Sequence, residues 1–105
     1  MLKINMEFRK GILFVRLKGE LNKYTYKGLN DYLSPIIEEQ GIKYLVINLA
    51  CLNKMDKYGI ESLEKHIKET DNNNGYTLIC NSKFNFRSKF RTIDNELTAL
   101  KIINI

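Results

Sequence analysis

The residues best equipped for chemistry lie in one stretch, Leu49-Ala50-Cys51-Leu52-Asn53-Lys54-Met55-Asp56-Lys57-Tyr58-Gly59-Ile60, where an apolar strand pattern gives way to a helical one. Asp56 reads as a helix N-cap, its carboxylate accepting from otherwise unpaired amides of the first turn. Tyr58 then places a hydroxyl at the second helical position. A phosphate there would sit close to the free amides and the positive end of the helix dipole, so the site suits a phosphorylation switch. Lys57 adds a cation, and Tyr58 adds a large amphipathic ring of the kind enriched at protein contacts. Asp56 and Gly59 also have structural work there, as cap and as a point of close helix–sheet packing.

Nothing else converges into a catalytic constellation. A nucleophile beside a base, or paired carboxylates, would be needed, and such groups sit at strand ends and loops. His66, the only histidine, falls in the second helix off its apolar stripe and is expected to be exposed or half-exposed. Gly19 stands alone before the first helix, without the glycine spacing that wraps a pyrophosphate. Cys51 and Cys80 are far apart, so two reduced thiols are expected, with Cys80 buried in a strand, and neither a metal site nor a redox pair. No enzyme activity and no cofactor are expected.

Length and composition set the frame. A chain of 105 residues, 44% hydrophobic and 28% charged, suits a single domain over 1–105 with one core. The longest apolar runs, Ile12–Leu17 and Tyr44–Leu49, are far shorter than the roughly 20 residues of a membrane span. The first residues alternate like a strand and lack the apolar core of a secretory signal, which points to the cytoplasm. The net charge of +5 is scattered, with one local cluster at Lys83, Arg87, Lys89 and Arg91, and this argues against nucleic acid as partner.

Periodicity supplies the elements that must position the site. Leu2, Ile4, Met6 and Phe8 alternate as a strand; Arg9-Lys10-Gly11 turns the chain; and Ile12–Leu17 is an apolar strand, giving an antiparallel hairpin. Asn22 is expected to cap a first helix with Tyr26, Leu29, Leu33, Ile36 and Ile37 along one side, kinked near Asp31–Ser34 or divided into two short pieces because of Pro35, and closed at Gly41. Ile42–Leu49 reads as the central strand, followed by a loop from Ala50 to Met55. A second helix from Asp56 carries Ile60, Leu63 and Ile67 to about Thr70, and Tyr76–Cys80 is the next buried strand. Ser82 is read as the cap of a last helix bearing Phe86, Phe90 and Ile93, with Leu97–Ile105 as a final edge strand. The order implies an α/β fold: a mixed sheet of four to five strands, its later strands parallel, covered by three to four helices.

Two stretches carry a family resemblance. Lys18-Gly19-Glu20-Leu21-Asn22 and the Met55-Asp56-Lys57-Tyr58-Gly59 helix start resemble the two recognisable loops of the STAS domain of anti-sigma factor antagonists, a G-E-L-D turn and a hydrophobic-D-S-S-G helix start. Element order and spacing agree over nearly the whole chain. The resemblance implies a STAS-like fold and a domain that binds an anti-sigma factor, a serine or threonine kinase, and so frees a sigma factor; phosphorylation of the serine before the glycine ends the interaction in that family. Met55 and Asp56 match the hydrophobic-Asp pair and Gly59 the glycine. Lys57 and Tyr58 replace both serines, Asn22 stands where aspartate is common, and the C-terminal helix of many members is expected to be missing.

The tyrosine oxygen lies about 6.5 Å from its Cα against about 2.4 Å for serine, so a kinase arranged for serine should not reach it. Binding without the serine switch is therefore expected, through Asn22, Met55, Asp56, Lys57, Tyr58 and Gly59, with Tyr58 the one residue there open to phosphorylation. Two alternatives stand beside it. One is a scaffolding or signalling STAS module in homo- or hetero-oligomers, a weak homodimer among them, using exposed aromatics such as Tyr24 or Tyr58. The other is a nucleotide or small-ligand module at the Asn22/Asp56 cleft, with Lys23, Lys54 and Lys57 as phosphate donors.

Overall fold

The computed structural model describes residues 1–84, 86 and 90–103. Its elements run β1 (Leu2–Arg9), β2 (Ile12–Leu21), α1 (Tyr26–Gln40), β3 (Tyr44–Met55), α2 (Lys57–Asn72), β4 (Tyr76–Cys80), β5 (Thr92–Ile93) and α3 (Glu96–Ile102). The strands form one sheet in the order β1-β2-β3-β4-β5, antiparallel between β1 and β2 and parallel elsewhere. The expected mixed sheet is thus present, with five strands and three helices among the described residues.

The hairpin follows from its turn. Arg9 pairs with Ile12, leaving Lys10 and Gly11 as a two-residue connection with φ of 53° and 80°. Two consecutive positive φ values give the tight turn whose twist matches the flanking strands. In β2 alternate residues serve opposite faces. Leu13, Val15 and Leu17 join the core under α1 and α2, while Ile12 and Phe14 join a second cluster with Val46, Leu78, Cys80, Ala99 and Ile103. This two-sided burial explains the unbroken apolar run.

Several expectations about elements need correction. The first helix begins at Tyr26 rather than just after Asn22, whose side chain is used in the preceding turn. It is one helix through Pro35 rather than two short pieces. Pro35 and Asp31, the residue whose carbonyl loses its bond, are both exposed, so the lost bond falls on the solvent side of the helix, where it is tolerated. The segment 50–55 is strand, not loop: Lys18–Leu21 continue the ladder with it through two register shifts. β4 reaches only Asn48 on β3, so the rest of β3 is paired on one side and tolerates exposed residues.

At the other end, Leu97–Ile102 is helix rather than edge strand, and the edge strand is instead Thr92–Ile93. Residues 104 and 105 of that expected strand lie outside the described residues. A helix is therefore present near the end of the chain, against expectation; Asn95 caps it by accepting from Thr98 N at 2.9 Å. The expected helix from Ser82 is absent at Ser82, Phe84, Phe86 and Phe90, and Ile93 lies in β5; its remaining positions, 85 and 87–89, lie outside the described residues.

A charged clamp ties α3 to the sheet. Arg16 donates from Nε and Nη2 to the two oxygens of Glu96, each at 2.8 Å, and Asn48 Nδ2 adds a third bond at 2.7 Å. The Arg16 guanidinium holds the Glu96 carboxyl below the usual carboxylate range against the opposing effect of burial, helped by Asn48. No helix among the described residues is long and apolar enough to cross a membrane.

Candidate functional site

The loops before α1 and α2 meet at one end of the sheet. Leu21 and Met55 close the β2–β3 ladder side by side, which brings the chain after each strand to the same place. Asp56 then joins them. Its Oδ1 accepts from Gly59 N at 3.1 Å, capping α2, while Oδ2 accepts from Lys23 N at 3.1 Å. One carboxylate thus satisfies amides from both loops, and the backbone of Asp56 adds a bond to Leu21 O at 3.3 Å.

Asn22 organises the first loop without capping the helix directly. Its Oδ1 accepts from Tyr24 N at 2.9 Å, its own amide donates to Thr25 Oγ1 at 2.9 Å, and its Nδ2 donates to Glu20 Oε1 at 3.3 Å. This is the local side-chain turn that asparagine and aspartate favour. The Thr25 hydroxyl in turn donates to Glu20 O at 2.9 Å.

Both glycines of the matched stretches are required by close approach. A Cβ on Gly59 would lie 2.5 Å from Leu21 O and 2.7 Å from Met55 Cγ, so only glycine lets the first turn of α2 seat on the end of β2. Gly19 has φ of 107°, and a Cβ there would meet Met1 O.

Lys57 is exposed, and its Nζ lies 5.4 Å from the centre of the Tyr58 ring. Tyr58 is half-buried rather than exposed, because its ring stacks on Tyr26 with centroids 5.6 Å apart and planes inclined by 29°. Tyr26 belongs to the site although its spacing marked it only as part of a helix stripe. Glu20 and Phe84 were also missed: with Asn22, Asn53, Lys54, Met55 and Asp56 they line a recess of about 460 Å³. Of the three lysines expected as phosphate donors, only Lys54 lines this recess.

Elsewhere, His66 is fully buried, contrary to expectation, with Nδ1 2.8 Å from Glu69 Oε1. The buried face of α2 includes Ser62, Leu63, His66, Glu69 and Thr70, so it is polar in part and wider than the apolar stripe. Burial pushes the His66 pKa down, and the Glu69 carboxylate only partly offsets this. Cys80 is buried as expected, which with the nearby Glu96 charge raises its thiol to about 12; Cys51 is exposed. No cluster of metal-ligating side chains occurs among the described residues.

An antiparallel hairpin leading into a parallel sheet, with two helix starts tied together at one end, is the architecture of a STAS domain. The chain belongs to that family, whose model matches residues 3–99. It is 29% identical over 79 residues to the anti-sigma F factor antagonist of Paenibacillus polymyxa, covering 75% of this chain and 68% of that protein. Its fold is similar to the anti-sigma factor antagonist SpoIIAA in its unphosphorylated form, with a TM-score of 0.83 at 19% identity over 98% of this chain and 100% of the other. An anti-sigma factor antagonist from Mycobacterium paratuberculosis matches with a TM-score of 0.83 at 16% identity, over 100% and 96% of the two chains.

Proposed function

We propose that this STAS domain binds an anti-sigma factor of the serine/threonine kinase type, and so frees a sigma factor, through the face formed by Asn22 and the Met55–Gly59 start of α2. The observation that carries the reading is the pair of hydrogen bonds that the Asp56 carboxylate accepts from Lys23 N and Gly59 N, which ties the two matched loops into one surface. Such preorganisation lowers the ordering cost of binding. Lys57, exposed beside the half-buried Tyr58, gives that surface a cation and an aromatic anchor suited to an acidic groove.

Binding runs without the serine switch. Lys57 and Tyr58 occupy the two positions where the family's serines stand, and the Tyr58 ring is stacked on Tyr26. A kinase site arranged for a short serine side chain does not accommodate it. A protein partner also fits better than a nucleotide, since Glu20 and Asp56 place two carboxylates around the recess that a phosphate would enter.

The test is a pull-down with each kinase-type anti-sigma factor encoded in the same genome, with and without nucleotide. Capture of one of them by the wild type, and loss of capture on Tyr58→Glu, is expected. Failure to capture any would remove the sigma-regulation reading.

A further inference from the structure

We propose that β1 is a self-docking edge: two copies of this chain pair β1 with β1 in antiparallel fashion about a two-fold axis passing through Asn5. The inference concerns a surface other than the α2 start and is tested on the purified chain alone, so it stands or falls independently of the anti-sigma reading.

The backbone supplies the first argument. β1 is the outer strand of the sheet, with β2 on one side only. Met1 O accepts from Glu20 N at 3.3 Å, and Arg9 pairs with Ile12 across the two-residue turn, so the odd-numbered residues of β1 bond to β2. The amides and carbonyls of Leu2, Ile4, Met6 and Phe8 therefore point outward. None of the turn, loop or cap bonds among the described residues uses them. A full row of outward donors and acceptors is a template for another strand.

The side chains select the occupant and the register. With the axis at Asn5, Leu2 opposes the partner's Phe8, Lys3 opposes the partner's Glu7, and Ile4 opposes the partner's Met6. From Leu2 to Phe8 each apolar residue meets an apolar one and each charge meets its opposite, while Arg9 falls past this stretch, beside the partner's Met1. The even-numbered residues also fall opposite one another as hydrogen-bonded pairs, as their outward amides require. Moving the register by one full pleat in one direction sets Lys3 against the partner's Arg9; in the other direction it sets Lys3 against the partner's Asn5 and leaves Phe8 unopposed. Of these registers only the one centred on Asn5 gives complementary pairs throughout Leu2–Phe8, and its symmetry closes the assembly at two copies.

Two features of the single chain become intelligible in that arrangement. Lys3 sits directly opposite Lys18 on β2, a like-charge cross-strand pair, and has no salt bridge among the described residues. The partner's Glu7 supplies the missing anion: Glu7 uses Oε1 on Arg16 Nη2 at 2.9 Å and keeps Oε2 for it. Phe8, on the same face of β1 as Leu2 and Ile4, is 63% exposed. Beside Leu2 runs a groove of about 390 Å³ between β1 and α1, lined in part by Met1, Leu2, Ile4, Tyr24, Gly28 and Tyr32. The partner's Phe8, set opposite Leu2, enters it.

Sedimentation velocity over a concentration series, with circular dichroism to confirm folding, tests the proposal. The wild type is expected to show a concentration-dependent dimer. Lys3→Glu alone and Glu7→Lys alone each place like charges opposite one another twice per dimer, weakening it roughly tenfold or more, whereas an equimolar mixture of the two variants restores complementary pairs and regains the dimer. Phe8→Ser, which leaves every charge in place, also weakens it. A wild type that stays monomeric throughout, a dimer indifferent to these substitutions, or a mixture of folded variants that stays monomeric would each overturn the proposal.

Discussion

Asp56 reaches Lys23 across 33 positions of sequence, accepting its backbone amide on one carboxylate oxygen while the other caps α2 at Gly59. Removing the carboxylate leaves two amides without these partners. Asp56→Ala is expected to lower stability by about 1–3 kcal/mol, from the lost cap and one further charge-assisted bond. Asp56→Asn keeps one acceptor oxygen and falls in between. Urea unfolding of the three proteins checks the order.

Gly59→Ala reverses the usual sign of a glycine replacement in a helix. Alanine is ordinarily favoured there by about 1 kcal/mol, but at this position its Cβ would press on Leu21 O at 2.5 Å. The overpacking is expected to destabilise by about 1–3 kcal/mol, with the midpoint of thermal unfolding falling rather than rising.

Tyr58→Ala removes the stack on Tyr26, which costs about 0.5–1.5 kcal/mol of stability beyond the lost burial. Tyr58→Glu does the same and also places an anion on the proposed contact face. Its complex with an anti-sigma factor is expected to weaken by about 2 kcal/mol or more, roughly 30-fold, by calorimetric titration. An unchanged affinity would remove Tyr58 from that face.

His66 and Glu69 together predict acid sensitivity. Folded His66 holds a proton less readily than the unfolded chain, because burial pushes its pKa down. As pH falls below about 6.5, the unfolded state therefore gains protons that the folded state does not, and stability falls. Burial acts to raise the Glu69 pKa, yet the neighbouring Ser34 hydroxyl, His66 and Lys65 hold its carboxyl below the usual range. Its contribution is present above about 4.5 and is lost as pH falls further, in the same direction. Urea unfolding at pH 7 and pH 5.5 is expected to show lower stability at the acid value for the wild type. His66→Asn, less stable overall, should lose most of that difference.

The sheet was legible wherever burial is two-sided and local. Ile12–Leu17 and Tyr44–Leu49 are dense apolar runs because both faces are covered, and Asp56 announced its cap by standing just before a helical stripe. The far half of β3 was not legible, since it pairs only with β2 and carries polar residues on its open face. Helix α3 is seven residues long and owes its place to Arg16 and Asn48 holding Glu96, contacts that span 80 and 48 positions. His66 escaped for a different reason: the buried positions Gly59, Ser62, Leu63, His66, Glu69 and Thr70 follow helical spacing, but Ser62, His66, Glu69 and Thr70 are polar, so the face does not read as an apolar stripe.

For the candidate site, the linear features were readable and their junction was not. The stretches around Gly19–Asn22 and Met55–Gly59 resemble family loops residue by residue. That one carboxylate spans both, and that Tyr26 braces Tyr58, depends on where β2 and β3 end side by side.

The central claim, partner binding without a serine switch, is tested most directly by calorimetric titration of the wild type into a kinase-type anti-sigma factor from the same genome. The titration is run before and after incubating the two proteins with ATP, with phosphate incorporation followed in parallel. A complex of the same affinity in both cases and no phosphate on this chain are expected. Absence of binding to every such factor, or phosphorylation that dissolves the complex, would contradict the claim.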